Sequence, residues 1–194
     1  IGGFMSMSAA DPASLALFPT SCGRQPFFGA VRISSEDGAD LPPGTPGEIW
    51  VRGPTVTPGY WRRPEETAAL FHEGWMRTGD IGTVNAEGFY FILDRKKDMF
   101  ISGGENVYPA EIEGVIAEIP GVVEVAVIGV ADDRWGEVAC AFVVGTVGAD
   151  EVIAACSRSL AKYKVPAHVM ASEGIPRNGA GKPQKHLLRA IFEG

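Results

Sequence analysis

Four segments of this chain carry residue types whose spacing can do chemistry. In Gly74-Trp75-Met76-Arg77-Thr78-Gly79-Asp80 a carboxylate follows a Thr-Gly turn. Such a carboxylate can accept hydrogen bonds from vicinal hydroxyls, as acidic residues do for ribose in other nucleotide folds. The same Asp80 also reads as an Asx turn or a helix cap. In Asp94 to Glu113, DRKKDMFISGGENVYPAEIE, the paired Gly103 and Gly104 permit positive φ and close backbone approach to a ligand. A tight turn before a helix at Pro109 accounts for them equally well. In Ile175-Pro176-Arg177-Asn178-Gly179-Ala180-Gly181-Lys182 a lysine sits on a glycine loop, where its ammonium can meet charge developing on a phosphate or carboxylate oxygen. This is not the phosphate loop GxxxxGK[ST], because the first glycine is missing and Pro183 follows the lysine. An ordinary surface lysine is the competing account. In Arg134-Trp135-Gly136-Glu137 the indole is either a stacking platform or, as a lone Trp by default, part of the core.

The elements that must position these groups follow from periodicity. Residues 1–30 read as loops and short strands. Strands begin at Val31-Arg32-Ile33 and are separated by turns at Ser35 to Gly38 and Pro42 to Gly47, and Glu48 to Arg52 alternates at the strand period. Pro64-Glu65-Glu66-Thr67 opens a short helix with Pro in its first turn and acids at its positive end. Thr83-Val84, the turn Asn85 to Gly88 and Phe89 to Leu93 predict a hairpin. Residues 20–94 therefore read as a small antiparallel sheet or barrel. The charge run Asp94-Arg95-Lys96-Lys97-Asp98 is an exposed turn or an interdomain hinge. After it come a strand over Met99 to Ile101, the Gly-Gly turn, and a helix from Pro109 whose Ile112, Val115, Ile116 and Ile119 share one face. Strands at Val123 to Val130 and Val138 to Gly145 follow, then helices at Asp150 to Ala161 and Lys185 to Phe192. The expected fold is α+β: a small antiparallel β subdomain over 1–94, then a compact α+β domain over 95–194, with a hinge near 95–98.

Composition narrows the classes. The chain has 194 residues, 45% hydrophobic and 21% charged, with 25 glycines and 14 prolines in no period. This is a globular mixture, neither collagen-like nor disordered. Its longest apolar run, Val122 to Ala131, is interrupted by Glu124 and is too short to span a bilayer, so no transmembrane segment is expected. The cysteines Cys22, Cys140 and Cys156 are odd in number and have no CxxC spacing. That argues against disulfides or structural zinc and fits a reducing, cytoplasmic setting. The chain starts Ile1-Gly2-Gly3-Phe4 without Met, basic n-region or apolar h-region, which reads as the middle of a longer polypeptide without a signal peptide. The net charge of −7 disfavours nucleic acid, yet residues 158–194 carry +5 against −12 for the rest. Either that tail is a solvated basic face or it serves an anion such as a nucleotide phosphate.

Taken singly these signals are weak; their order is specific. GEIWVRGP, GYWRRPEETA, GWMRTGDIG, DRKKDMFISGGENVYPAEIE, AKYKVP and PRNGAGK together resemble the adenylate-forming superfamily. The sequence is most similar to the acyl- and aryl-CoA synthetase branch, whose relatives include firefly luciferase and the adenylation domains of peptide synthetases. The resemblance is strong from Gly47 to Arg189 and weak before Ser21.

This resemblance implies a ligase that converts a carboxylic acid and Mg-ATP to an acyl-adenylate and pyrophosphate, then transfers the acyl group to coenzyme A. It implies that residues 1–94 are the last subdomain of a large N-terminal adenylation domain and that 95–194 form the small domain that rotates between half-reactions. By resemblance Asp80 holds the AMP ribose hydroxyls and Arg95 adds a ribose or phosphate contact. Lys97 matches the hinge position. Lys182 matches the lysine that bridges carboxylate and α-phosphate during adenylation. Gly103 and Gly104 match the turn lining the pantetheine tunnel, Trp135 a position near the CoA nucleotide, and Lys164 a CoA phosphate contact. Two positions after Lys164 that are basic in some relatives are here Val165 and Ala167. The family's Ser/Thr/Gly-rich phosphate loop is absent. The nearest match to its magnesium-binding Tyr-Gly-Met-Thr-Glu is Met5-Ser6-Met7-Ser8-Ala9, with Ala in place of Glu, so no metal-contact residue is identified. The chain is therefore expected to be a C-terminal piece, inactive alone, that works beside an N-terminal adenylation domain in the same or a separate chain. The alternatives are a non-catalytic AMP- or CoA-binding module and a fragment that loads a carrier protein.

Overall fold

In the computed structural model, which describes residues 16–194, the alternating segments of the first half pair as expected. The strands are β1 (Gly23–Arg24), β2 (Ala30–Ser34), β3 (Gly47–Arg52), β4 (Phe71–His72), β5 (Trp75–Val84) and β6 (Phe89–Arg95), with α1 (Pro64–Leu70) before β4. Every pairing is antiparallel, in the order β1-β6-β5-β3-β2, with β4 on β5. The path ends at β1 and β2 without closing, so among the described residues this is an open sheet and not a barrel. Val31, Ile33, Ile49, Val51, Met76 and Tyr90 form its core. The β5–β6 hairpin turns where the sequence places it: the Asn85 Oδ1 accepts the Phe89 N–H at 2.8 Å. Helix α1 starts on Pro64 with Glu65 and Glu66 in its first turn.

One local expectation is corrected. Thr78-Gly79 is not a turn but lies inside β5. Opposite it, Glu48 pairs with Ile81 and Trp50 with Arg77, so β5 spends more residues than β3 across this stretch. The segment is a bulge, with Gly79 at φ +72°.

The chain divides into two compact units, the second being Lys97–Gly194. It contains β7 (Phe100–Ser102), β8 (Glu105–Val107), α2 (Pro109–Ala117), β9 (Val122–Asp132), β10 (Gly136–Gly145), α3 (Ala149–Ser159), a 3-10 turn (Lys162–Lys164), β11 (His168–Ala171) and α4 (Lys185–Glu193). β10 is the hub: antiparallel to β9 along its whole length, antiparallel to β7 at Gly136, and parallel to β11 over Cys140 to Val143. The short β8 and β11 were not expected from the sequence.

Both faces of this sheet are covered, which explains why β9 and β10 read as near-continuous apolar runs and not as alternating strands. On one face Val127, Ala139, Ala141 and Val143 pack with Ile112, Ile116, Val152 and Cys156 of α2 and α3. On the other, Ala126, Ile128, Val138, Cys140 and Phe142 pack with Ile175 and Leu188, which brings in α4. The expected apolar face of α2 is present: Ile112, Ile116 and Ile119 are buried and Val115 packs against them. The mixed α+β class therefore stands.

Candidate functional site

In the first unit the β5 bulge and the end of β6 bring two predicted residues together. Asp80 and Arg95 are cross-strand partners, and the Arg95 Nε lies 2.6 Å from the Asp80 Oδ1. The pair is partly open to solvent. The bulge is pinned by its own polar atoms. The Thr78 hydroxyl donates to the Ile49 carbonyl at 2.7 Å and accepts the Asp80 N–H at 3.1 Å. The Gly79 carbonyl accepts the Lys96 N–H at 2.8 Å. A carboxylate re-aimed by a bulge and flanked by a guanidinium is suited to a polyhydroxylated anion: hydroxyls donate to the acid and phosphate oxygens accept from the base.

In the second unit Gly103 and Gly104 make the two-residue turn of the β7–β8 hairpin, both at positive φ (60° and 89°), which a type I′ geometry requires. The sequence left turn and close approach as alternatives, and Gly103 does both. Its N–H donates to the Trp135 carbonyl at 2.9 Å, and a Cβ on it would lie 2.8 Å from the Trp135 Cε3. The default assignment of Trp135 to the core is corrected, because its side chain is 44% exposed. The β9–β10 turn holds it there, with the Asp132 Oδ1 accepting the N–H groups of Arg134 and Trp135 at 2.9 and 2.8 Å.

Gly103 and Trp135 line one cavity of about 600 Å³, together with Ser102, Glu105, Asp132, Arg134, Val138, Lys162, Tyr163, Val165 and Ala167. Two cations of this wall, Lys162 and Arg134, are not among the residues the sequence pattern marks. Their signal was available in AKYKVP and in the residue before Trp135, but spacing alone does not say which of Lys162 and Lys164 faces a ligand. Lys164 is outside the lining, and its Nζ is held by Glu111 at 2.7 and 2.8 Å. Gly104 is also outside it. Val165 and Ala167 make part of the wall apolar.

Lys182 is exposed on a loop that is ordered by its neighbours. The Asn178 Oδ1 accepts the N–H groups of Ala180 and Lys182, both at 3.0 Å, and the Asn178 N–H donates to the Lys182 carbonyl at 2.9 Å. Arg177 ties the loop to the sheet, its guanidinium pairing with Glu124 on β9 and donating to the Gly181 carbonyl. Lys185, at the start of α4, anchors the far side through Glu113 at 2.8 Å. Lys97 is exposed in the turn after β6. Met5 to Ala9 lie outside the described residues. Among the described residues no three His, Cys, Asp or Glu side chains cluster as a metal site, and no helix is long and apolar enough to cross a membrane. The three cysteines are free; burial pushes the Cys140 thiol up to about 11.

Comparison with known proteins agrees with the motif order. Residues 2–61 match the family model described as AMP-binding enzyme, and residues 111–182 that described as AMP-binding enzyme C-terminal domain. The chain is 48% identical over 175 residues to the long-chain-fatty-acid–CoA ligase FadD13 of Mycobacterium tuberculosis, covering 89% of this chain and 35% of that one. It is 46% identical to a feruloyl-CoA synthase of Amycolatopsis sp, covering 94% and 38%. The solved o-succinylbenzoate CoA synthetase (MenE) of Bacillus subtilis, in complex with the acyl-adenylate intermediate OSB-AMP, superposes with a TM-score of 0.86 at 39% identity, covering 94% of this chain and 37% of that one. The chain thus spans a little over a third of the length of the relatives it matches. With both family models matched in order and CoA ligases as its relatives, the chain belongs to the AMP-binding, adenylate-forming enzymes.

Proposed function

We propose that this chain is the C-terminal part of an acyl-CoA synthetase, competent only beside an N-terminal adenylation domain. The observation that carries the proposal is the Asp80–Arg95 pair held on a strand bulge, in a chain 46–48% identical to CoA ligases. In the first half-reaction a carboxylate oxygen of the acid attacks the α-phosphorus of ATP, supplied as its magnesium complex, and pyrophosphate leaves. Asp80 accepts hydrogen bonds from the ribose hydroxyls and Arg95 steadies ribose or phosphate. Lys182 brings its ammonium to the oxygens of the acid and α-phosphate, where negative charge concentrates. In the second half-reaction the thiolate of CoA attacks the acyl carbonyl and AMP leaves. The cavity beside Gly103 and Trp135 takes the pantetheine arm and nucleotide of CoA, with Lys162 and Arg134 as the cations nearest to hand and the Lys164 contact reserved for a rearranged Glu111. A turn of residues 97–194 about Lys97 withdraws Lys182 between the two steps. The enzyme acts in the cytoplasm.

The test separates the half-reactions. The isolated 194-residue chain should catalyse no ATP–pyrophosphate exchange, since neither the phosphate loop nor an acyl pocket is identified in it. In the complete enzyme Lys182→Ala should abolish adenylate formation yet largely spare thioester formation from supplied acyl-adenylate. Robust exchange by the isolated chain, or equal loss of both half-reactions, would overturn the assignment.

A further inference from the structure

Glu48 is a buried acid that the proposed mechanism does not use. It is the second residue of strand β3 (Gly47–Arg52), and its side chain is only 5% exposed. A carboxylate taken out of water is costly unless donors replace its hydration. Here three groups do so, two from β5, which carries Asp80, and one from Lys96, the residue after β6. Arg77 approaches with Nε at 3.2 Å and Nη2 at 3.1 Å from Oε2, and the Lys96 Nζ lies 3.5 Å from the same oxygen. The other oxygen, Oε1, accepts the backbone N–H of Gly79 at 3.2 Å. Gly79 is the left-handed residue of the bulge and immediately precedes Asp80. Its carbonyl is taken by the N–H of Lys96, the residue after Arg95. Glu48 thus grips the N–H of Gly79 directly and, together with Glu36 at 3.2 Å, holds the ammonium of Lys96, whose backbone N–H takes the Gly79 carbonyl.

We propose that Glu48 is the positioning residue for the Asp80 carboxylate: it fixes the bulge so that Asp80 meets both ribose hydroxyls at once. This rests on the reading of Asp80 as the ribose holder. An ion pair serving stability alone would involve no preference for the ribose. The two accounts therefore part on how well the enzyme tells ATP from 2′,3′-dideoxy-ATP, because global loosening weakens both substrates alike.

In the complete enzyme, kcat/KM for adenylation should favour ATP over the dideoxy analogue by about 100-fold, the scale of two hydrogen bonds to a charged acceptor. Asp80→Ala should erase most of that preference. Glu48→Ala should cut it at least tenfold, chiefly through KM for ATP, and the double variant should resemble Asp80→Ala alone. Should Glu48→Ala fail to fold, Glu48→Gln is read in its place. It keeps an acceptor for Gly79 but turns an amide donor toward Arg77 or Lys96, and should cut the preference about threefold. If Asp80→Ala leaves the preference intact, the ribose reading itself fails. If Asp80→Ala erases it and the folded Glu48 variant retains the wild-type ratio, the ribose reading stands and the positioning role is overturned.

Discussion

The two units present their candidate residues in opposite ways. In the first, Asp80 and Arg95 sit on neighbouring strands, joined at 2.6 Å, with a buried acid gripping the backbone beside them. In the second, Lys182 stands exposed on a glycine loop, and Gly103 and Trp135 stand on the tips of two turns over a cavity. A strand-borne site is fixed by the ladder that carries it; a loop-borne cation has its backbone ordered and its side chain at liberty. Under the proposed function, the difference suits a division of labour in which one unit holds the nucleotide through every step and the other supplies groups needed in only one.

The two kinds of contact have different kinetic signatures. A held contact works in ground and transition states alike, whereas a cation brought in for one step works chiefly in the transition state. In the complete enzyme Lys182→Ala should lower kcat for adenylation by at least about 1,000-fold with KM for ATP little changed, the scale of losing a preorganised charge. Asp80→Ala should raise KM for ATP by about 100-fold while sparing kcat, by the same bookkeeping as for hydrogen bonds to a charged acceptor. Steady-state exchange kinetics on both variants would show a reversed pattern if the division is wrong.

The two units also differ in what seats their candidate residues. Leu188 is fully buried and holds α4, the helix that follows the Lys182 loop. Leu188→Ala should cost about 3 kcal/mol in urea unfolding of the chain. A much smaller loss would mean that α4, and the loop before it, is less firmly seated than Asp80. Smaller again is Gly103→Ala, which forces a side chain into a left-handed turn and against Trp135, at about 1–2 kcal/mol. Gly104→Ala meets open space and should cost less, so equal melting temperatures for the two would remove the argument that Gly103 is there for the indole.

A further expected effect is on pH dependence. Burial raises the Cys140 thiol from 9.0 to about 11 in the folded chain. The folded state therefore keeps a proton that the unfolded state releases between these values, and stability falls as pH rises from 9 to 11. Below pH 9 the term is constant. Melting temperature followed across that window should decline, and Cys140→Ala should flatten the decline; an unchanged slope would assign it to other groups, such as Tyr90 and Cys22, whose values burial also raises.

Much of this was legible in the residues. The Asn85 to Gly88 turn, the Pro64 and Pro109 helix starts and the apolar face of α2 each follow from local chemistry that no distant contact overrides. The bulge at Gly79 was not legible, since counting two extra residues on β5 requires knowing that β3 lies opposite. Nor was β11, a four-residue strand without alternation whose partner, β10, lies far upstream in sequence. The exposure of Trp135 is not legible in the sequence either, because it depends on where the β9–β10 turn ends relative to the Gly103 turn.

What the sequence determined by itself is the order of the motifs, and with it the adenylate-forming family, the α+β class and the acids, glycines and lysines that a nucleotide chemistry needs. These are properties of residue type and short spacing, fixed by the chain alone. Only the tertiary structure decided which residues meet: Asp80 with Arg95, Glu48 with the Gly79 N–H, Gly103 with Trp135, and Lys162 facing the cavity while Lys164 turns to Glu111. The physical reason is that hydrogen bonds and ion pairs act over about 3 Å, whereas the partners stand up to 53 residues apart in the chain. Strand register and sheet order, set by burying both faces of one sheet and the core of another, are what close that gap.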